Sequence, residues 1–129
     1  MKFVIYGKPQ GKARPRFTRQ GRAYTPLNTI DYETQIRRAY IAAGGTLISD
    51  SAPIQICITA CFKKAKSNKM DSPTLKPDAD NIAKAVCDAL NSVAYKDDKQ
   101  IISLKIEKAW ADDGIEKVVV EIEKLIHSR

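Results

Sequence analysis

Hydrophobic and polar positions alternate along this chain with two different periods. From Pro53 to Phe62, Ile54, Ile56, Ile58, Ala60 and Phe62 share one parity while Gln55, Cys57, Thr59 and Cys61 take the other, the period of two expected of a strand with one face in a core. Gln100 to Trp110 repeats the pattern, with Ile102, Leu104 and Ile106 set against Ser103, Lys105 and Glu107. So does a later segment, where Val118, Val120 and Ile122 alternate with Val119, Glu121 and Glu123. Asp112-Asp113-Gly114 between these two is a turn signal, so they are expected to pair as a hairpin. Lys2 to Tyr6, β-prone and ending at Gly7, reads as a further short strand.

Two segments carry the helical period instead. Tyr32, Ile36, Ala39 and Ala43 recur at i, i+4, i+7 and i+11 after Thr25-Pro26, an N-cap followed by proline at the first helical position, and Gly44-Gly45 closes the run. Ile82, Val86, Ala89 and Val93 form a second such series. Advancing about 100° per residue from Asp80, the residues Asn81, Lys84, Asp88 and Asn91 fall within a quarter-turn of it, a polar stripe opposite the apolar one. Asp78 would project toward the apolar side, so this helix is expected to begin just after Pro77 and Asp78. The order β-α-β-α-β-β predicts an α+β fold, a mixed four-stranded sheet with two helices packed on it. With 129 residues the whole chain, 1–129, is expected to form one domain.

Composition narrows the class. Hydrophobic residues at 43% and charged residues at 29% suit a folded chain rather than a disordered one. No apolar run approaches the roughly 20 residues of a membrane helix, and the N-terminal apolar stretch is too short for a signal peptide. The expectation is a cytoplasmic protein with no membrane partner. Cys57 and Cys61 lie on one predicted strand, about 13 Å apart and beyond disulfide reach. With Cys87 they read as reduced thiols, and a zinc site would lack a fourth ligand beyond the lone His127 in the tail. Tyr24, Tyr32 and Tyr40 read as packing residues rather than base-stacking platforms.

Charge is where the pattern becomes chemical. The net charge is +7, and Lys8, Lys12, Arg14, Arg16, Arg19 and Arg22 occur without one acid, interleaved with Pro9, Gly11, Pro15, Gly21 and Phe17. That composition predicts a mobile basic arm with no regular element, either a solvated loop or a segment suited to a phosphate backbone. Lys63, Lys64, Lys66, Lys69 and Lys76 form a second basic loop leading to Asp78. Against this background Asp78 and Asp80 stand at the mouth of the second helix, and Asp97 and Asp98 a little past its end. A hard divalent cation takes oxygen ligands, often two carboxylates, and leaves room for a substrate phosphate. Lys84, one turn after Asp80, supplies a point cation at the same end. The competing explanation is that Asp78 and Asp80 cap the helix and favour its positive end, while Asp97 and Asp98 form a plain turn.

D-A-D-N-I-A-K over 78–84, D-A-L-N over 88–91 and Y-K-D-D-K-Q-I over 95–101 resemble the RusA family of Holliday-junction resolvases, small endonucleases often carried by prophages. The resemblance is clear over roughly residues 54 to 110, and the basic N-terminal region agrees with it in character. It implies that Asp78, Asp80 and Asp98 are metal-binding catalytic carboxylates, that Lys84 is the catalytic lysine, and that Asp97 helps hold the metal. It further implies Mg²⁺ or Mn²⁺ as cofactor with no small-molecule cofactor, a homodimer, and four-way junction DNA as the partner, cut in pairs during recombination and repair. Lys8, Lys12, Arg14, Arg16, Arg19, Arg22 and Lys76 are then the DNA-binding cations. Where some members carry an arginine run before the first acid, this chain has Thr74-Leu75-Lys76-Pro77, which leaves its cutting preference unassigned. Two readings compete: a non-catalytic basic nucleic-acid-binding module, and a D-x-D phosphotransfer enzyme, against which the lack of a glycine-rich phosphate loop counts.

Overall fold

The computed structural model describes residues 1–13, 16–24 and 26–125. Arg14, Thr25 and His127, named above as a DNA-binding cation, a helix cap and a lone imidazole, lie outside the described residues. The elements are β1 (Lys2–Tyr6), β2 (Arg16–Phe17), β3 (Ala23–Tyr24), α1 (Leu27–Ala42), β4 (Ile54–Phe62), α2 (Ala79–Leu90), β5 (Ile101–Trp110) and β6 (Lys117–Lys124). Four strands form a mixed sheet in the order β1-β6-β4-β5, and β2 with β3 makes a separate two-stranded ribbon. The α+β class and the two helices agree with the sequence pattern.

One face of the sheet is covered and holds the core. Ile54, Ile56, Ile58, Ala60 and Phe62 of β4, Val118, Val120 and Ile122 of β6, and Phe3 and Ile5 of β1 are all buried against Tyr32, Ile36 and Tyr40 of α1 and Ile82, Val86, Ala89 and Leu90 of α2. Their pairing fixes the face: Ile56 lies opposite Ile122, Ile58 opposite Val120 and Ala60 opposite Val118. On the other face Gln55, Cys57, Thr59 and Cys61 are only half-buried.

The expected hairpin of the last two strands is absent. β4 lies between them, parallel to β5 and antiparallel to β6. Alternation records which residues face a core, and it is the same whichever neighbour a strand takes. The connection from Ala111 to Glu116 is long enough to step over one strand, about 10 Å for two inter-strand spacings. Burial shows the result, since Val118 and Val120 are fully covered in an interior strand while Ile102 and Leu104 are exposed on the edge strand β5. A bulge adds to this: Ile54 pairs with Ile101 and Gln55 with Ser103, so Ile102 is the skipped residue and Ile101 takes the core position.

In α1 the buried line is Thr29, Tyr32, Ile36 and Tyr40, so Ala43, expected on that face, is exposed. Pro26 occupies the N-cap position itself rather than the first helical one. Tyr32 and Tyr40 are packed as expected, whereas Tyr24 is exposed on β3. In α2 the expected residues Ile82, Val86 and Ala89 are fully buried, and Asp78 is the N-cap. No helix among the described residues is long and apolar enough to cross a membrane.

Ile58 sits at the centre of the middle strand and has no exposed surface to speak of. Ile58→Ala is expected to cost about 2–5 kcal/mol. In a denaturant titration this reads as a lower midpoint at unchanged slope.

Candidate active site

Because β4 and β5 are parallel neighbours, the chain must return from the end of one to the start of the other, and α2 makes that return. Its N-terminus therefore lies at the Phe62 and Trp110 end of the sheet. Residues 63–77 are tied there: the Trp110 indole N–H donates to the Met70 carbonyl at 3.1 Å and the Lys108 ammonium to that of Leu75. Lys64 stands 5.7 Å from the centre of the Trp110 ring, a cation–π contact. The loop thus hands the chain to Asp78 in a fixed direction. Asp78 has an extended backbone at the N-cap but makes no side-chain capping hydrogen bond, so its carboxylate is not spent on the helix. Asp80 in the first turn and Lys84 one turn on are both exposed.

The second pair of acids stands at the other end of α2. Asp97 caps a single 3₁₀ turn, Asp98–Gln100, its carboxylate accepting from the Lys99 N–H at 3.0 Å. Gln100 is buried and fully used: its Oε1 accepts from the N–H groups of Lys96 and Asp97, each at 3.1 Å, and its Nε2 donates to the carbonyls of Asp50 and Ala52 at 3.1 and 3.0 Å. The buried Tyr95 hydroxyl donates to the Cys87 carbonyl at 2.7 Å and pins the segment to α2. Thus Asp97 does cap a turn, as the competing explanation held, and Asp98 is left exposed beside it.

Asp98 is electrostatically uncomfortable. The hydrogen bond with Asp97, loss of hydration, and the charges of Asp97 and Asp88 raise its carboxyl above the usual range. Asp97 moves the other way, lowered by the Lys99 N–H it accepts and by its hydrogen bond with Asp98. The acids expected to form one metal site are thus divided. Among the described residues no hydrogen bond or ion pair joins Asp78 or Asp80 to Asp97 or Asp98, and no three His, Cys, Asp or Glu side chains are gathered as a preformed cage. Asp80 and Asp88 alone are about 12 Å apart along the helix axis at 1.5 Å per residue.

Among its described residues the arm is not wholly irregular. Its Arg16–Phe17 segment pairs with Ala23–Tyr24, and Gly21 and Arg22 close the tip through the Thr18 carbonyl and hydroxyl. Alternation cannot show a ribbon of two-residue strands. Arg16, Arg19, Arg22 and Phe17 are exposed on it. Upstream, the Gly7 N–H donates to the Glu116 carbonyl and the Lys12 N–H to the Asn81 carbonyl, both at 3.0 Å. Gly11 is needed for that approach, because a Cβ there would stand 2.9 Å from the Asn81 Cβ and 3.1 Å from that of Pro77. Between arm and helix runs an open groove of about 670 Å³ lined by Lys8, Gln10, Lys12, Asn28, Lys76 and Asp78 among others. Lys8 and Lys76 are exposed at it, as a phosphate-facing role requires.

Among the described residues, Lys12 differs from the other expected DNA-binding cations. Its ammonium lies 2.8 Å from Glu33 Oε1 and 3.2 Å from Asp88 Oδ2, with the side chain 21% exposed. Burial works against its charge, but the hydrogen bonds to Glu33 and Asp88 outweigh it and the pKa is raised. Sequence reading missed Glu33 altogether. It sits beside the buried line of α1, and no motif or spacing links it to residue 12 or 88.

Gly11→Ala should lift the arm from α2 while sparing the core, giving faster tryptic cleavage within residues 8–22 at a nearly unchanged thermal midpoint. A raised carboxyl pKa in the folded state adds stability while the group is protonated, and that contribution is lost as pH rises through the folded pKa. The thermal midpoint of Asp98→Asn relative to the unsubstituted protein should accordingly shift in the variant's favour between about pH 3 and about pH 7.

The endodeoxyribonuclease RusA family model matches residues 6–123 of this chain. A curated relative, the uncharacterized protein YqaN of Bacillus subtilis (strain 168), is 29% identical over 93% of this chain and 94% of its own length. The matched span takes in the arm, the groove, both ends of α2 and the acid pair before β5, so the chain belongs to the RusA endodeoxyribonuclease family.

Proposed function

We propose that the protein resolves four-way DNA junctions by metal-dependent phosphodiester hydrolysis, acting as a homodimer that makes paired cuts in recombination and repair. The observation that carries this reading is Asp78, an N-cap whose carboxylate is left out of capping and stands in a groove lined by Lys8 and Lys76. Cations to hold a phosphodiester and a carboxylate to hold a metal ion then share one space.

The donors present fit Mg²⁺ or Mn²⁺ in kind. They are carboxylate oxygens, and the raised carboxyl of Asp98 belongs to a cluster that a bound cation would relieve. Asp78, Asp80 and Asp98 would be the ligands, with Asp97 a helper whose carboxylate is already engaged by Lys99. The chemistry such an ion supplies is the activation of a water and the neutralisation of charge on the leaving oxygen. Lys8 and Lys76 would hold phosphates along the groove, and Arg16, Arg19 and Arg22 would extend the contact along the ribbon. Lys84 would place its ammonium against charge developing on the scissile phosphate.

The division of the acids gives the dimer a purpose. A two-fold partner that presents its own Asp98 end to the Asp78 and Asp80 end of the first protomer would complete two equivalent sites. A single protomer holds the halves apart by the length of α2.

Asp80→Asn and Asp98→Asn should each abolish cleavage while keeping junction binding in Ca²⁺, since the amide keeps the size and Asn and Asp rank about equally near a helix start, within about 1 kcal/mol. Mixing the two inactive variants and allowing subunits to exchange should restore nicking, because each mixed dimer then carries one site with both aspartates intact. Silence in the mixture, with exchange verified, would place each site within one protomer. Near-normal cleavage by both single variants would sink the nuclease site itself.

A further inference from the structure

The arm, α1 and α2 meet at one charged contact that the nuclease reading does not use. Lys12 carries its backbone on the first turn of α2, through its N–H to the Asn81 carbonyl at 3.0 Å, and its ammonium two turns on, at Asp88. Its stem therefore runs along the helix. The same ammonium is hydrogen-bonded to Glu33 of α1, whose side chain is 12% exposed. The next residue, Ala13, donates its N–H to the hydroxyl of buried Thr29 on α1 at 3.3 Å. Three elements distant in sequence are thus joined through two consecutive residues of the arm.

We propose that Lys12 is a positioning residue, a brace that fixes the basic arm to the helix carrying the acids and cancels carboxylate charge at Glu33 and Asp88, rather than a phosphate contact. It rests on the nuclease reading only for what the brace positions. Freeing the ammonium for a phosphate would leave Glu33 and Asp88 facing each other without a counter-ion in a partly dehydrated site. Removing one partner of such a group is costly for that reason. Asp88, after Asp97, is also one of the carboxylates whose charge bears on Asp98, so Lys12 sits against a charge that the acid site feels. The brace sets where the arm's exposed cations stand relative to the acids, and how strongly that end of α2 attracts a metal ion.

Three measurements test it. In Lys12→Met the bared carboxylates should bind Mn²⁺, followed by the magnetic resonance signal of the free ion, at least about threefold more tightly. Junction binding in Ca²⁺ should keep its salt slope, because no phosphate contact is lost; a true contact would make the slope shallower by about 0.9. Cleavage should lose at least about tenfold in kcat with KM within about threefold, as expected when geometry rather than binding is lost, and Lys12→Arg should recover most of it. The paired variant Glu33→Gln with Asp88→Asn keeps Lys12 and frees its ammonium, so its salt slope should steepen by about 0.9; it decides the matter if Lys12→Met proves too unstable to handle. A shallower slope in Lys12→Met with unchanged Mn²⁺ affinity, or no change of slope in the paired variant, would overturn the brace. Absence of junction binding by the unsubstituted protein would instead count against the nuclease reading, and the Mn²⁺ comparison would still judge Lys12.

Discussion

Everything at the candidate site depends on one burial: the apolar face of α2, through Ile82, Val86, Ala89 and Leu90, in the core it shares with α1 and the covered face of the sheet. Those four side chains have no exposed surface, and Ile82, Val86 and Leu90 are each worth roughly 1.5–3 kcal/mol on transfer from water. That anchoring fixes the rotation of the helix, so Asp80 and Lys84 must face solvent. The parallel pairing of β4 with β5 fixes its direction, so Asp78 must lie at one end of the sheet and Asp98 at the other. The positions of the acids are consequences of core packing and strand order, with no freedom left for the helix to bring them together.

The cations are placed by a different device. Among the described residues of the arm only Pro9 is buried, so the arm is held there by backbone hydrogen bonds, by the close approach at Gly11 and by the ammonium of Lys12. Such contacts are local and individually small, about 0.5–1.5 kcal/mol for a typical net hydrogen bond. A rigid acid-bearing helix and a more weakly held basic arm therefore share a groove. That arrangement suits a substrate whose backbone must be gripped before it is cut.

How much of this could be read from the chain follows from what periodicity encodes. Alternation at 54–62 and the i, i+4, i+7 series at 82–89 report which side of an element meets the core, and both agree with the structure. They do not report neighbours, which is why β5 and β6 were expected to pair although β4 separates them. The acid-rich stretch announced Asp78, Asp80 and Asp98 by type and order, but their division between the two ends of α2 becomes visible only once β4 and β5 are known to be parallel. Lys12 shows the same limit from the side of charge. Written among five other cations it looks like one of them, and its two carboxylate partners are 21 and 76 residues away along the chain.

The outermost strand pair has a consequence for how the molecule comes into being. Among the described residues β1, at residues 2–6, pairs in the sheet with β6 alone, and the amino group of Met1 donates to the carbonyl of Ile122 at 3.1 Å. The arm begins immediately after β1 and is anchored at Gly7 to Glu116, just ahead of β6. Closing a loop of that length has an entropic cost that local contacts cannot offset in advance, so folding should be slow for so small a chain. Gly7 and Glu116 lie far apart in the chain, so the first anchor of the arm forms only when β1 has closed on β6. Until that closure Lys8, at the start of the arm, has no fixed place in the groove, so the order in which the sheet assembles sets when the groove is complete.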